Sequence, residues 1–242
     1  MLKAAIEKIL DIATPTILDR EDGTFAVSAY NVMQIRPELD LPETIDLTSL
    51  DALIKMVRTE AAKAESPLYI TIPSHLCVTC FGQPNKGMRE HRQMYYKVNA
   101  TDVPGWDAEK KLPFEQAAVA LQTRFQEGGD RDYTMRLLSQ ITTGAKVTYN
   151  DIGVATTVVT SKGVSLQENS QIRPLVRLRP YRTFQEIAQP EGLFLIRIDE
   201  RGISFTEADG GMWKLEARKT IAKYLEDGLE DLVKSGDVVI AL

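Results

Sequence analysis

Residues 193–207 constrain this chain more than any other segment. In the run LFLIRIDERGISFTE, Phe194, Ile196 and Ile198 recur at every second position. Asp199-Glu200-Arg201-Gly202 then interrupts the run, and Ile203 and Phe205 resume it. A period of two puts alternate side chains on opposite faces of a strand, and a glycine-containing turn between two such strands predicts an antiparallel hairpin with one apolar face. What flanks the hairpin must fit that commitment.

Downstream, residues 206–211 (TEADGG) break the strand and lead into a helix, with Asp209 placed to cap it or to favour its positive N-terminus. Ala217, Ile221, Tyr224, Leu225, Gly228 and Leu232 follow the i, i+4, i+7 spacing of one buried helical face. Ser235-Gly236 reads as the helix end with glycine just beyond it. Residues 238–242 (VVIAL) predict a last strand, expected to pair in the chain's own sheet or in a partner's. Upstream, residues 171–182 predict a strand. Arg173, Leu175, Arg177, Arg179 and Tyr181 share its polar side, and Ile172, Val176 and Leu178 line the other. Pro174 and Pro180 lack amide donors, so that strand is expected to lie at a sheet edge or to be interrupted.

The first 144 residues mix both kinds of element. Ile6, Ile9, Leu10 and Ala13 have helical spacing over residues 2–13, and β-prone residues fill 24–36 after the turn at Glu21-Asp22-Gly23. Residues 38–48 read as a surface connection. Ser49 is a helix cap over Leu50, Leu53, Ile54 and Val57. Strands are predicted over 68–72, 76–81 and 93–99, the last two forming a hairpin with a long loop. Helices from Pro113 and over 132–142 form an αα-hairpin, followed by β-prone runs at 147–149 and 154–160. Strands and helices do not alternate strictly, so the fold class is α+β with a mixed or mainly antiparallel sheet and packed helices. The chain reads as a single compact unit with a soft internal boundary near residue 144.

Composition narrows the function classes. Charged residues make up 26% of the chain and hydrophobic ones 43%, as in ordinary globular proteins. With 29 basic against 34 acidic side chains, the net charge of −5 disfavours wholesale attraction to nucleic acid or anionic membrane, and only a local basic patch can serve. No apolar run reaches the roughly 18 residues of a membrane span. Two cysteines three apart make no disulfide framework, and the expectation is a soluble intracellular protein.

The run 178–198 (LRPYRTFQEIAQPEGLFLIRI) followed by 205–217 (FTEADGGMWKLEA) resembles an uncharacterised family of phage and prophage proteins that carry a YfdQ-like domain of unknown function. The matching positions are Pro180 to Phe184, Glu186, Gln189-Pro190 and Glu207 to Trp213, with weaker matches at Ser49-Leu50, Pro73-Ser74-His75 and Asp151-x-Gly153-Val154. The chain departs from the family pattern at Gly192, near which a serine is expected. The resemblance implies phage or prophage origin, and with it a cytoplasmic location in the host bacterial cell, and implies no reaction.

Four groups of residues invite a functional reading. His75, Cys77, Cys80 and His91 are the candidate zinc set, but residues three apart on a strand face opposite ways, which favours ordinary buried cysteines. Glu207 and Asp209, near Asp199 and Glu200, are candidate magnesium ligands, weighed against a strand end and a helix cap. Asp209-Gly210-Gly211 offers free amides to an anion, weighed against a tight turn. Arg173, Arg177, Arg179, Tyr181 and Arg182 are the binding candidates: guanidinium groups beside aromatic rings suit phosphates and bases, and they also suit ion pairs with the excess acids. No Gly-x-Ser-x-Gly or phosphate-loop motif is present, and only two histidines are available for proton transfer.

The leading expectation is therefore a non-enzymatic protein without a cofactor, acting by homo-oligomerisation and by binding a macromolecule such as a host protein. The alternatives are an accessory protein that binds single-stranded nucleic acid and a metal-dependent enzyme built on Glu207 and Asp209.

Overall fold

The structure is a computed structural model. It describes residues 3, 8–9, 16–20, 23–27, 31–35, 43–64, 66–84, 92–105, 110–143, 147–151, 156–162, 165–166, 170–171, 173–199 and 201–242. The fold is α+β. Strands β1 (Thr16–Arg20), β2 (Gly23–Val27) and β3 (Val32–Ile35) form an antiparallel meander. Then follow β4 (Ile45–Leu47), helix α1 (Leu50–Ala61), β5 (Leu68–Ser74), β6 (Cys77–Pro84) and β7 (Arg92–Asn99). The αα-hairpin comprises α2 (Phe114–Thr123) and α3 (Arg131–Thr143). A small sheet follows, made of β8 (Val147–Asp151), β9 (Thr156–Lys162), β10 (Ser165–Leu166) and β11 (Ser170–Gln171). The chain continues with β12 (Leu175–Leu178), β13 (Gly192–Asp199), β14 (Gly202–Glu207), α4 (Trp213–Gly228), α5 (Glu230–Ser235) and β15 (Val238–Ala241).

Two hydrophobic cores organise these elements. The first lies on a five-stranded sheet of order β15-β5-β6-β7-β4. Leu68, Ile70 and Ile72 of β5, with Val78 and Cys80 of β6, turn one face toward α1 and α4. Helix α1 begins where expected: the Ser49 hydroxyl accepts from the Ala52 amide at 3.1 Å. Leu50, Leu53 and Val57 on its inner face are fully buried, each contributing about 1.5–3 kcal/mol. The second core lies between the αα-hairpin and a three-stranded sheet of order β12-β13-β14. Phe194, Ile196, Ile198, Ile203 and Phe205 form its apolar face, as the alternation predicts, against Leu121, Phe125 and Leu138.

Several expectations change. The strand expected over 171–182 contracts to Leu175–Leu178, because Pro174 and Pro180 bracket it. Within it the face assignment holds: Val176 and Leu178 are buried, Leu175 and Arg177 exposed. The connection expected over 38–48 contains β4, which pairs parallel with β7. The final helix breaks at Leu229 into α4 and α5, ending at Gly236 with φ +86°. Both cores draw residues from both sides of position 144, since α4, α5 and β15 return to the first sheet. Apart from Lys3, Lys8 and Ile9, the helix expected over 2–13 lies outside the described residues. No helix among the described residues is long and apolar enough to cross a membrane.

Candidate functional site

The arginine strand sits at the edge of its sheet, as its prolines require, yet its outer side is occupied. The connection between α2 and α3 runs alongside it. The Asp130 amide donates to the Arg177 carbonyl at 2.8 Å, and the Arg177 amide donates to the Asp130 carboxylate at 2.9 Å. The Gln126 amide donates to the Arg179 carbonyl at 2.8 Å, and the Tyr181 amide donates to the Arg124 carbonyl at 2.9 Å. Gly129 makes this approach feasible. Its φ of +58° is in the left-handed region, and a Cβ there would lie 2.5 Å from the Arg177 oxygen.

The arginine side chains divide into two kinds. Arg173, Arg177 and Arg179 are exposed or half-buried, and each meets a carboxylate at 3.3 Å: Asp130 for Arg173, Glu191 for the other two. Arg173 also stacks on the Tyr133 ring at 4.0 Å. Surface pairs of this kind contribute at most about 1 kcal/mol each.

Arg182 belongs to the interior. Its guanidinium donates to Glu207 at 2.9 Å and to the Pro190 carbonyl at 3.2 Å, and it lies 3.7 Å from the Trp213 ring centre. Burial pushes its pKa down to about 10, with Glu207 and Asp209 pulling the other way, so it keeps its charge at neutral pH. Gly192 leaves room for it, since a Cβ there would lie 2.5 Å from Nη2.

Around Arg182 residues far apart in the sequence converge. Trp213 Nε1 donates to the second Glu207 oxygen at 3.3 Å, and His75 meets the Trp213 ring edge-on at 4.6 Å between centroids. The Thr183 hydroxyl donates to the His75 carbonyl. Gln189 is buried and accepts from the amides of Arg182 and Thr183. Glu186 accepts from the first amide of α1, Leu50, at 2.8 Å. The His75 pKa is lowered, first by burial and then by Lys214 and Arg182, with Glu207 opposing. This node ties β14 and the segment after β12 to the β5–β6 turn and the start of α4, and so joins the two core sheets. Sequence reasoning missed it, because Thr183 and His75 are 108 residues apart and Leu50 and Glu186 are 136 apart.

The remaining candidates find structural employment. Glu207 gives one oxygen to Arg182 and the other to Trp213. Asp209 accepts from the Gly211 amide at 3.0 Å within its own turn. The expected helix cap is therefore corrected: the cap position of α4 is Met212, and no side chain bonds there. Gly210 and Gly211, at φ +63° and +78°, shape that turn. On β6, Cys80 is fully buried in the first core, its thiol pushed up to about 12 chiefly by burial, while Cys77 is half-buried at the strand start. His91 lies outside the described residues. No cluster of three or more His, Cys, Asp or Glu side chains suited to a metal occurs among the described residues. A cleft of about 340 Å³ opens beside the node, lined by Thr48, Ser49, Asp102, Thr183, Gln185 and Glu186. Ser49 and Glu186 are committed to capping α1, and Gln185 donates to the Asp102 carbonyl at 2.7 Å.

No family model matches the chain, and no curated protein and no solved structure is similar to it.

Proposed function

We propose that this chain is a non-enzymatic phage or prophage protein that works by self-assembly and by binding a macromolecular partner. The phage origin rests on the motif residues that meet at the Arg182 node. The observation that carries the assembly reading is the β15 edge of the five-stranded sheet, which is apolar and has no partner on its outer side among the described residues. The side chains that suggest chemistry, Glu207, Asp209 and Arg182, are engaged in contacts that hold the fold together.

The nucleic-acid reading draws on Arg177, which is 70% exposed. Its weakness is local charge: Asp130 and Glu191 stand against the three outer arginines and would have to be displaced by phosphate. The assembly reading is tested by native mass spectrometry and light scattering at micromolar concentration. The expected result is a discrete multiple of the 27.1 kDa chain. A clean monomer overturns it.

A further inference from the structure

Four strands close the two core sheets, and three of them are blunted. β12 is paired along its outer side by residues 124–130. β14 is bridged by Leu112, which exchanges two main-chain hydrogen bonds with Ile203 at 2.8 and 2.9 Å. β4 is three residues long and carries Asp46. Short strands, charges and covering segments are the usual protections of a sheet edge. β15, at four residues, carries no charge, and no segment among the described residues covers its outer side. Its sequence is uncharged and free of proline from Val238 to Leu242, and Val239 is 42% exposed.

The register on β5 fixes which of its groups point outward. The Asp237 carbonyl accepts from the Leu68 amide at 2.9 Å, and Val239 is aligned with Tyr69 in a parallel pair. Residues 237, 239 and 241 therefore direct their main-chain groups toward β5. The N–H and C=O of Val238 and Ile240 point away from the sheet. Side chains follow the opposite logic. Val238 and Ile240 pack on the first core, and Val239 lies on the other face of the sheet. There it continues a row across three strands, Val239 beside Tyr69 beside Phe81, with the Arg92 guanidinium 4.1 Å from the Tyr69 ring centre.

We infer that β15 pairs antiparallel with β15 of a second copy about a two-fold axis at Val239, joining two five-stranded sheets into one of ten strands. The inference rests on the assembly reading above and assigns its surface. Centring the axis on Val239 sets Val238 opposite Ile240 of the second copy. Their outward groups then form four main-chain hydrogen bonds. The two Val239 side chains face each other, and the row Phe81–Tyr69–Val239 runs on through the axis. The nearest charge, Asp237, falls opposite Ala241 of the second copy, so no like charges meet. An isologous contact needs a self-complementary patch, and this uncharged strand meets that condition.

Ile240→Pro tests the assignment directly. The Ile240 amide points away from β5, so proline breaks no hydrogen bond to β5: it removes the outward donor, blocks the outer side and trims the side chain that Ile240 packs on the first core. Native mass is expected to fall at least twofold, with an unchanged circular dichroism spectrum. A second variant, Val239→Cys in a Cys77→Ser background, does not depend on tolerance of proline. A non-hydrogen-bonded antiparallel pair separates Cα atoms by about 4.5 Å, inside the range for a disulfide. Mild oxidation is therefore expected to yield a covalent dimer on denaturing gels. An assembly that survives Ile240→Pro and stays uncross-linked through Val239→Cys forms elsewhere: that overturns this assignment and leaves the self-assembly reading standing. A monomeric wild-type protein overturns both.

Discussion

β12 and β15 are both edge strands, and they end in opposite conditions. β12 carries arginine, is bracketed by prolines and follows a polar run, so it looks built to face outward. Two hydrogen bonds from the α2–α3 connection cover it at Arg177, and two more hold Arg179 and Tyr181 just beyond its end. β15 is apolar throughout and looks built for the interior, yet no strand among the described residues pairs with its outer side. The difference teaches that polarity of side chains and satisfaction of the main chain are separate properties. The arginines on β12 point across the sheet face, at right angles to the edge, and say little about what lies along it. For β15 an apolar composition beside free N–H and C=O groups is the arrangement that favours another strand.

The covered sheet depends on the node that fixes the segment leaving β12, and breaking that node is expected to have the largest effect. Glu207→Ala leaves Arg182 charged and buried without its carboxylate. Losing one member of a well-buried pair costs about 3–5 kcal/mol; Glu207 is 34% exposed, so the lower end applies, about 3 kcal/mol. Urea unfolding of the single variant and of Arg182→Met with Glu207→Leu checks this. The double variant is expected to lose less than the sum of the two singles. Equal and additive losses would show that the pair is not coupled.

That node marks where sequence reading reached and where it stopped. The hairpin, α1 with its Ser49 cap, and the faces of β12 were legible, because each is set by residues within a few positions of one another. The fate of Arg182 was not. It shares a run with Arg173, Arg177 and Arg179, but it lies beyond the end of β12, and the groups that hold it inside, Glu207 and Trp213, come 25 or more residues later. Cys77 and Cys80 were read correctly as opposite in facing, since a strand period of two needs no partner to be seen. The covering of β12 was out of reach, because residues 124–130 look like an ordinary helix connection. The Gly128-Gly129 pair was legible as a helix stop. Its second role, close approach to the Arg177 carbonyl, depends on a strand about fifty residues later.

Gly129→Ala is the next largest test, and it acts on the cover alone. It forces a Cβ into the left-handed region and against a backbone oxygen, at a cost of about 2 kcal/mol. Gly210→Ala is the matched control: φ is again positive, at +63°, but nothing lies within 4 Å of the added atom, so only the conformational cost of about 1 kcal/mol applies. Hydrogen exchange sharpens the reading. Amides of Gln126 and Asp130 are expected to exchange faster in Gly129→Ala and to be unchanged in Gly210→Ala. If both variants behave alike, the cover of β12 does not depend on the close approach.

The smallest expected effect links the two edges through His75, which lies in the β5–β6 turn of the open sheet and touches Trp213 of the node. Burial, Lys214 and Arg182 lower its pKa in the folded protein from the ordinary 6.5. The unfolded chain therefore takes up the proton first as pH falls. Neutral His75 contributes its full stability above about pH 6.5, and that stability is lost as pH drops through this value toward the folded one. The wild-type Tm is expected to fall between pH 7.5 and 5.5, and His75→Phe should fall less over the same interval, because it removes this proton while keeping a ring against Trp213. The assembled mass should not change over that interval, since His75 is not among the residues of β15. A mass that drops with the wild-type Tm, and holds in His75→Phe, would instead show that the node controls the open edge.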